Sequence, residues 1–309
     1  MSADSPFLVE PTACGLVPLA SQGAPPLVLD GKVGSQALLA QLQGQVAAFV
    51  KAQGVQPSLA VVQVGQNPAS SVYVKKKAEM AKALGMASTL VSLAETVSEA
   101  ELTARLQSLN DDPAVHGILL QLPLPSHLNA LPFQQLIAPQ KDVDGFHPLN
   151  LGLLLVGGQP FALPCTPAGV LWLLQAHGVP LAGKHVVVLG RSNIVGKPMA
   201  HLALQQHATV TVAHSKTNNL AALLAMADVV VLAVGVPHLV KASQLKAGAV
   251  LVDVGINRLE DGRLVGDAQL DEVAHLAAYT PVPGGVGPMT IALLMHNTLL
   301  LAQQAALQP

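Results

Sequence analysis

The chain alternates short, unbroken apolar runs rich in valine with longer stretches whose apolar positions recur every three or four residues. The runs cover residues 58–64, 89–93, 229–234 and 249–254, the stretch from Val115 to Gln121, and the stretches between Lys184 and Gly190 and between Ala208 and His214. A strand that is apolar at every position is buried on both faces, as strands of a helix-covered parallel sheet are. Helical spacing appears at residues 35–53, 98–109, 167–177, 199–207, 219–227 and 289–305. Their ends carry fitting signals: Ser98 stands three residues before Glu101, Thr166 precedes Pro167, Pro288 suits a first turn, and Gly54 stops the first helix. This alternation predicts an α/β protein of two lobes, a small α/β catalytic domain and a Rossmann-like doubly wound domain, with the C-terminal helix returning to the first lobe. The expected division is 28–149 with 288–309 for the first lobe and 150–287 for the second. The crossing is expected in residues 146–164, which Gly152, Gly157, Gly158 and Pro160 interrupt. Residues 1–27, with Pro6, Pro11, Pro18, Pro25 and Pro26, read as a poorly ordered extension.

Composition narrows the partners. A chain of 309 residues that is 51% hydrophobic can fill two cores. Only 11% of residues are charged and the net charge is -2, so neither the basic stripe of a nucleic-acid binder nor a cationic membrane-binding face is expected. The mean hydropathy of +0.48 is high. Even so, every apolar stretch is interrupted, as Asp228 interrupts the one around it, and no membrane span is predicted. Cys14 and Cys165 lie too far apart in sequence to suggest a disulfide framework, which fits a reducing compartment. The N-terminus has no basic region and carries Asp4 and Glu10, unlike a signal or transit peptide. A cytoplasmic protein with a small-molecule substrate is expected.

The strongest chemical signal lies in residues 184–217, an apolar run, a glycine turn, a helix and a second run. Such a βαβ unit presents backbone N–H groups at a helix N-terminus to a diphosphate. The glycine fingerprint is imperfect, with Gly190, Ser192 and Val195 at its three places and Gly196 one residue late. Where an NAD site usually has an acidic residue, this chain offers His214, Ser215 and Lys216, with Arg191 in the first turn. Those groups suit a 2′-phosphate and favour NADP. Further glycines close the later runs at Gly235 and Gly255, the latter followed by Ile256.

In the first half, Tyr73 and Lys77 stand one helical turn apart, and a phenol beside an ammonium can form an acid–base pair. Three consecutive lysines on a helix are usually a solvated face. Short-chain dehydrogenases also carry Tyr-x-x-x-Lys, but there it follows the glycine turn, whereas here it precedes it. Gln121 closes a strand before a proline-locked loop, at the carboxyl edge where open α/β sheets bind ligands. Asp142 and Asp144 form a D-x-D pair with no further ligand spaced nearby, so a polar substrate anchor is expected there and no metal. Residues 280–290, rich in glycine and proline, form a side-chain-poor loop that a flat ligand can approach closely.

Several of these segments together resemble one family. They are Tyr73-Val-Lys-Lys-Lys77, Gly117-Ile-Leu-Leu-Gln121-Leu-Pro-Leu-Pro125, Lys141-Asp-Val-Asp-Gly-Phe146, Pro164-Cys-Thr-Pro167, Gly190-Arg-Ser-Asn-Ile-Val-Gly196, Asp253-Val-Gly-Ile-Asn257 and Pro281-Val-Pro-Gly-Gly-Val-Gly-Pro-Met-Thr290. In order and spacing they are similar to the signature segments of the bifunctional methylenetetrahydrofolate dehydrogenase/methenyltetrahydrofolate cyclohydrolases of the FolD type. The resemblance implies a homodimer with a tetrahydrofolate derivative in the cleft between lobes and NADP on the second lobe. It makes Lys77 the catalytic lysine with Gln121 as its partner, stacks Tyr73 on the folate, and gives Asp144 the pterin. Pro283, Gly284, Gly287 and Thr290 would line the folate side. Gly190, Arg191, Ser192, Ser215, Thr166 and Ile256 would line the NADP side. Two other readings stay open on the residues alone: another two-domain NADP-dependent dehydrogenase of a small acid or amino acid, and a non-catalytic NADP-binding regulatory protein.

Overall fold

The computed structural model describes residue 11 and residues 16–19, 24–66 and 68–307. Most of the expected N-terminal extension, residues 1–10, 12–15 and 20–23, lies outside the described residues. In chain order the elements are β1 (Leu27–Val28), α1 (Gly31–Gln53), β2 (Ser58–Val64), α2 (Pro68–Ala83), β3 (Ala87–Leu93), α3 (Glu99–Asp111), β4 (Gly117–Leu120), α4 (Ala130–Leu136) and α5 (Pro148–Leu155). They continue with α6 (Cys165–Ala176), β5 (His185–Leu189), α7 (Gly196–Gln205), β6 (Thr209–Ala213), α8 (Leu220–Met226), β7 (Val229–Leu232), β8 (Val240–Lys241), β9 (Val250–Asp253), β10 (Asn257–Arg258), β11 (Leu264–Val265), β12 (Ala268–Gln269), β13 (Ala278–Tyr279) and α9 (Val286–Ala306).

The chain forms two compact units. One comprises the described residues of Met1–Leu38 with Thr166–Leu293; the other comprises Leu39–Cys165 with the described residues of Leu294–Pro309. These limits differ from the sequence boundaries for local reasons. Leu27 and Val28 pair in parallel with Ala278 and Tyr279, which draws the start of the chain into the first unit's sheet. Residues 148–155, expected as part of a glycine-rich crossing, are a helix of the second unit. Pro148 stands in its first turn, and the His147 side chain accepts the Leu149 N–H.

In the first unit six parallel strands run in the order β1-β13-β9-β7-β5-β6. Leaving β5, the chain first adds β6 on one side and then β7, β9 and β13 on the other. The strand order therefore reverses between β5 and β7, the point at which doubly wound sheets bind ligands. Val186, Val187, Val188, Val230 and Val231 are fully buried, as runs without polar alternation require.

The second unit has a three-stranded parallel sheet, β3-β2-β4. One face packs on Leu102 and Leu106 of α3, whose burial repeats at one-turn spacing. Ser98 caps this helix as its spacing with Glu101 predicted, its hydroxyl accepting the Glu101 N–H at 3.2 Å. Helix α7 begins three residues before its expected start, and α6 contains Thr166 instead of being capped by it. Among the described residues no helix is long and apolar enough to cross a membrane.

Candidate active site and dinucleotide turn

Strands β2 and β4 pair in parallel, so their carboxyl ends share one edge of the second unit's sheet. Gln121 leaves that edge directly after β4, while α2 follows β2 and carries Lys77. Through this pairing residues far apart in sequence meet: Lys77 Nζ donates to Gln121 Oε1 at 3.0 Å. Gln121 is oriented in turn, its Nε2 donating to the Leu122 carbonyl at 2.7 Å. Burial lowers the Lys77 pKa below the usual lysine value of 10.5, and the nearby charge of Asp144 opposes that fall only in part. A lysine in this state is a better proton acceptor near neutrality than a solvated one. Tyr73 stands one turn earlier on α2, 37% exposed, so its ring has free surface beside the lysine.

The turn holding Asp144 is anchored on both sides. Asp142 bridges to Ile118 of β4, and its carboxylate accepts from the His147 N–H at 2.7 Å and from Asn150 Nδ2 at 3.0 Å. Asn297 of α9 donates through Nδ2 to the carbonyls of Val143 and Leu163, at 2.8 and 2.9 Å. The two carboxylates therefore differ in use. Asp142 builds the turn, and Asp144 faces the charge of Lys77. Burial raises Asp144 to about 6, partly offset by Lys77 and reinforced by Asp142.

In the first unit, the turn after β5 shows why an imperfect glycine fingerprint suffices. Gly190 has φ 127, and a Cβ there would run into the Ala233 carbonyl oxygen. A Cβ on Gly196 would run into the Gly190 carbonyl oxygen. The strand end and the helix start thus touch backbone to backbone, the close approach that a bound diphosphate exploits. The Ser192 hydroxyl accepts from the Val195 and Gly196 N–H groups at 3.1 and 3.3 Å, taking the place of a glycine by fixing the turn. Arg191 and Ser215 are exposed at the ends of β5 and β6, neighbouring strands of the sheet. The turn holding Ser215 is shaped by His214, whose Nδ1 accepts the Lys216 N–H at 3.1 Å.

Within this unit two residues expected on the NADP side lie beside two expected on the folate side. Thr166 Oγ1 and Thr290 Oγ1 lie 3.0 Å apart in a hydrogen bond. Ile256 Cδ1 lies 3.5 Å from where a Cβ on Gly287 would stand. Gly284 has φ 111 and belongs, with Pro283, to the turn that Gly285 closes by donating its N–H to the Pro281 carbonyl at 2.8 Å. What the sequence did not single out is a pair of buried carboxylates at this edge. Asp253 and Asp267, 1% and 0% exposed, are bonded almost wholly to backbone N–H groups.

A parallel sheet with a backbone-lined turn at its switch point, and a second unit holding a half-buried lysine on a carboxamide, define a dinucleotide-dependent enzyme that also moves protons. The tetrahydrofolate dehydrogenase/cyclohydrolase catalytic-domain description matches residues 29–144. The NAD(P)-binding-domain description of the same family matches residues 164–306. The chain belongs to this family. It is 52% identical to the bifunctional protein FolD of Geobacillus thermodenitrificans, over 90% of this chain and 98% of that one. Among solved structures it resembles the FolD methylenetetrahydrofolate dehydrogenase/cyclohydrolase of Campylobacter jejuni, at 46% identity and a TM-score of 0.87, covering 90% of this chain and 98% of that one. It also resembles the Trypanosoma brucei enzyme complexed with NADP cofactor and inhibitor, at 37% identity and a TM-score of 0.88, covering 92% and 99%.

Proposed function

We propose that this chain oxidises 5,10-methylenetetrahydrofolate to 5,10-methenyltetrahydrofolate with NADP, and hydrolyses that product to 10-formyltetrahydrofolate. The observation that carries the hydrolytic half is the bond from a half-buried Lys77, its pKa lowered, to Gln121 beside Asp144. NADP, when bound, supplies the acceptor for the hydride that leaves the methylene carbon. The turn at Gly190 and Gly196 fits such a group because the strand end and the helix start meet backbone to backbone there, with no room for a Cβ on either glycine. Arg191, Ser192, Ser215, Thr166 and Ile256 complete that side. Tyr73 stacks on the folate, Asp144 accepts hydrogen bonds from the pterin, and Pro283, Gly284, Gly287 and Thr290 line the remaining wall.

Oxidation leaves a cation stabilised by its two flanking nitrogens, and that step asks the protein for alignment more than for a base. Hydrolysis asks for proton transfers. Water adds to the methenyl carbon, Lys77 takes a proton from the adduct and returns one to the ring nitrogen that departs, and Gln121 holds the amine in place. The reading extends to a homodimer in the cytoplasm, and light scattering on the purified protein tests the assembly. A spectrophotometric assay with 5,10-methylenetetrahydrofolate and NADP tests the activity: NADPH is expected to form without build-up of methenyl absorbance. Absence of NADPH formation in folded protein would refute the proposal.

The charges set a pH dependence. Asp144 is ionised only above about 6, so the KM for folate is expected to rise as pH falls through that value. On the other side, hydrolysis increases as Lys77 loses its proton and levels off before pH 10.5. Rate profiles at several folate concentrations check both limbs. An acid limb near the ordinary carboxylate value of 3.8 would contradict the first, and a rate still climbing at 10.5 the second.

A further inference from the structure

We infer that Asp267 is a positioning residue for the dinucleotide, holding two loops of the first unit's sheet in register through one fully buried carboxylate. Its Oδ2 accepts from the N–H groups of Val234 and Gly235 at 2.7 and 3.0 Å. Its Oδ1 accepts from the Val236 N–H at 2.9 Å and from Asn257 Nδ2 at 2.9 Å. The first three donors belong to the loop after β7. The fourth belongs to the segment after β9, one residue beyond Ile256. The carboxylate therefore ties together two loops that leave the same carboxyl edge, the β7 loop opening at the switch point beside Gly190.

The tie is locked from behind. The carboxylate of Asp253, the last residue of β9, accepts from the N–H groups of Asp267 and Ala268 at 3.1 and 2.7 Å, and from its own loop through Gly255 N–H at 2.9 Å. The two acids pack against each other's glycines. A Cβ on Gly255 would meet the Asp267 carboxylate, and one on Gly266 would meet that of Asp253. Thr280 completes the frame, its hydroxyl accepting the Asp253 N–H at 2.7 Å. With 0% exposure, Asp267 itself touches no ligand. It acts through Val236 and Ile256, which are 45% and 47% exposed at the rim of these loops.

The inference rests on the proposed use of NADP, and the test separates the two. An amide at position 267 cannot accept at both ends. Asn257 can turn its own amide to accept from the new NH2 group, but the Val236 N–H then faces a donor and its loop must move. In Asp267→Asn we expect NADPH, followed by its fluorescence on titration, to bind at least tenfold more weakly than to the unaltered chain. Hydrolysis of 5,10-methenyltetrahydrofolate supplied directly, with no dinucleotide present, should stay within twofold. Asn257→Ala, which cuts only the link between loops, should weaken NADPH binding about threefold in the same assay. Unchanged NADPH affinity in folded Asp267→Asn overturns the inference. So does loss of binding and hydrolysis in equal proportion, which marks a general structural role. If the unaltered chain binds NADPH but turns over no folate, the proposed function fails while the titration still decides the role of Asp267.

Discussion

Replacing Lys77 by methionine is expected to slow hydrolysis of 5,10-methenyltetrahydrofolate at least about a hundredfold, the lower end of what a positioned acid–base group contributes, while the fold persists. Methionine keeps the length of the lysine stem and its packing on α2, and it removes a charge that burial already disfavours. The hydrogen bond lost is the one to Gln121. Gln121 keeps its Nε2 bond to the Leu122 carbonyl, so the carboxamide stays in place with Oε1 open to water or substrate. Oxidation should suffer less, because the hydride step needs no base at that position. The enzyme would then stop halfway, and methenyl absorbance would accumulate as NADPH forms. Asp144 gives an independent readout: Lys77 is the group that holds its pKa down, so the acid limb near 6 should move upward in the variant. Hydrolysis at close to the unaltered rate would remove Lys77 from the mechanism.

How far this site could be read from the sequence depended on what kind of signal each part leaves. Unbroken apolar runs gave parallel strands because burial on both faces leaves no polar alternation. Once strands are parallel, the residues that follow them share an edge, which is why Gln121 could be placed at a ligand-binding edge; its partnership with Lys77 came only from the family resemblance. Ser98 was readable because capping uses a short fixed offset. The hydrogen bond between Thr166 and Thr290 left no such trace, since threonines more than a hundred residues apart carry no spacing. Helix α5 was masked by the glycines around it, one of them inside the helix. Asp267 was invisible for a deeper reason. Its partners are mostly backbone N–H groups, which every residue except proline possesses, so nothing in the sequence of the β7 loop announces the acid that holds it.

Gly190 offers the second large effect, because two separate constraints meet at one atom. Its φ of 127 lies where an L-residue is strained by about 1–3 kcal/mol, and an added Cβ would also run into the Ala233 carbonyl, which belongs to the backbone after β7 and cannot rotate aside. Gly190→Ala can relieve both only by moving the β5 turn away from β7. That movement also shifts the Gly190 carbonyl on which the start of α7 rests. The N–H groups that would meet the diphosphate then lose their common direction. At 1.4 kcal/mol per factor of ten, displacing the turn should weaken NADPH binding between about tenfold and a hundredfold and lower the melting temperature. Hydrolysis of supplied 5,10-methenyltetrahydrofolate depends on Lys77, Gln121 and Asp144 in the other unit, and should survive in the folded variant. Fluorescence titration with NADPH beside the hydrolysis assay separates these outcomes. Undiminished NADPH affinity would mean that the dinucleotide does not rest on this turn, and hydrolysis that fell with it would mean that the two activities are coupled through the fold.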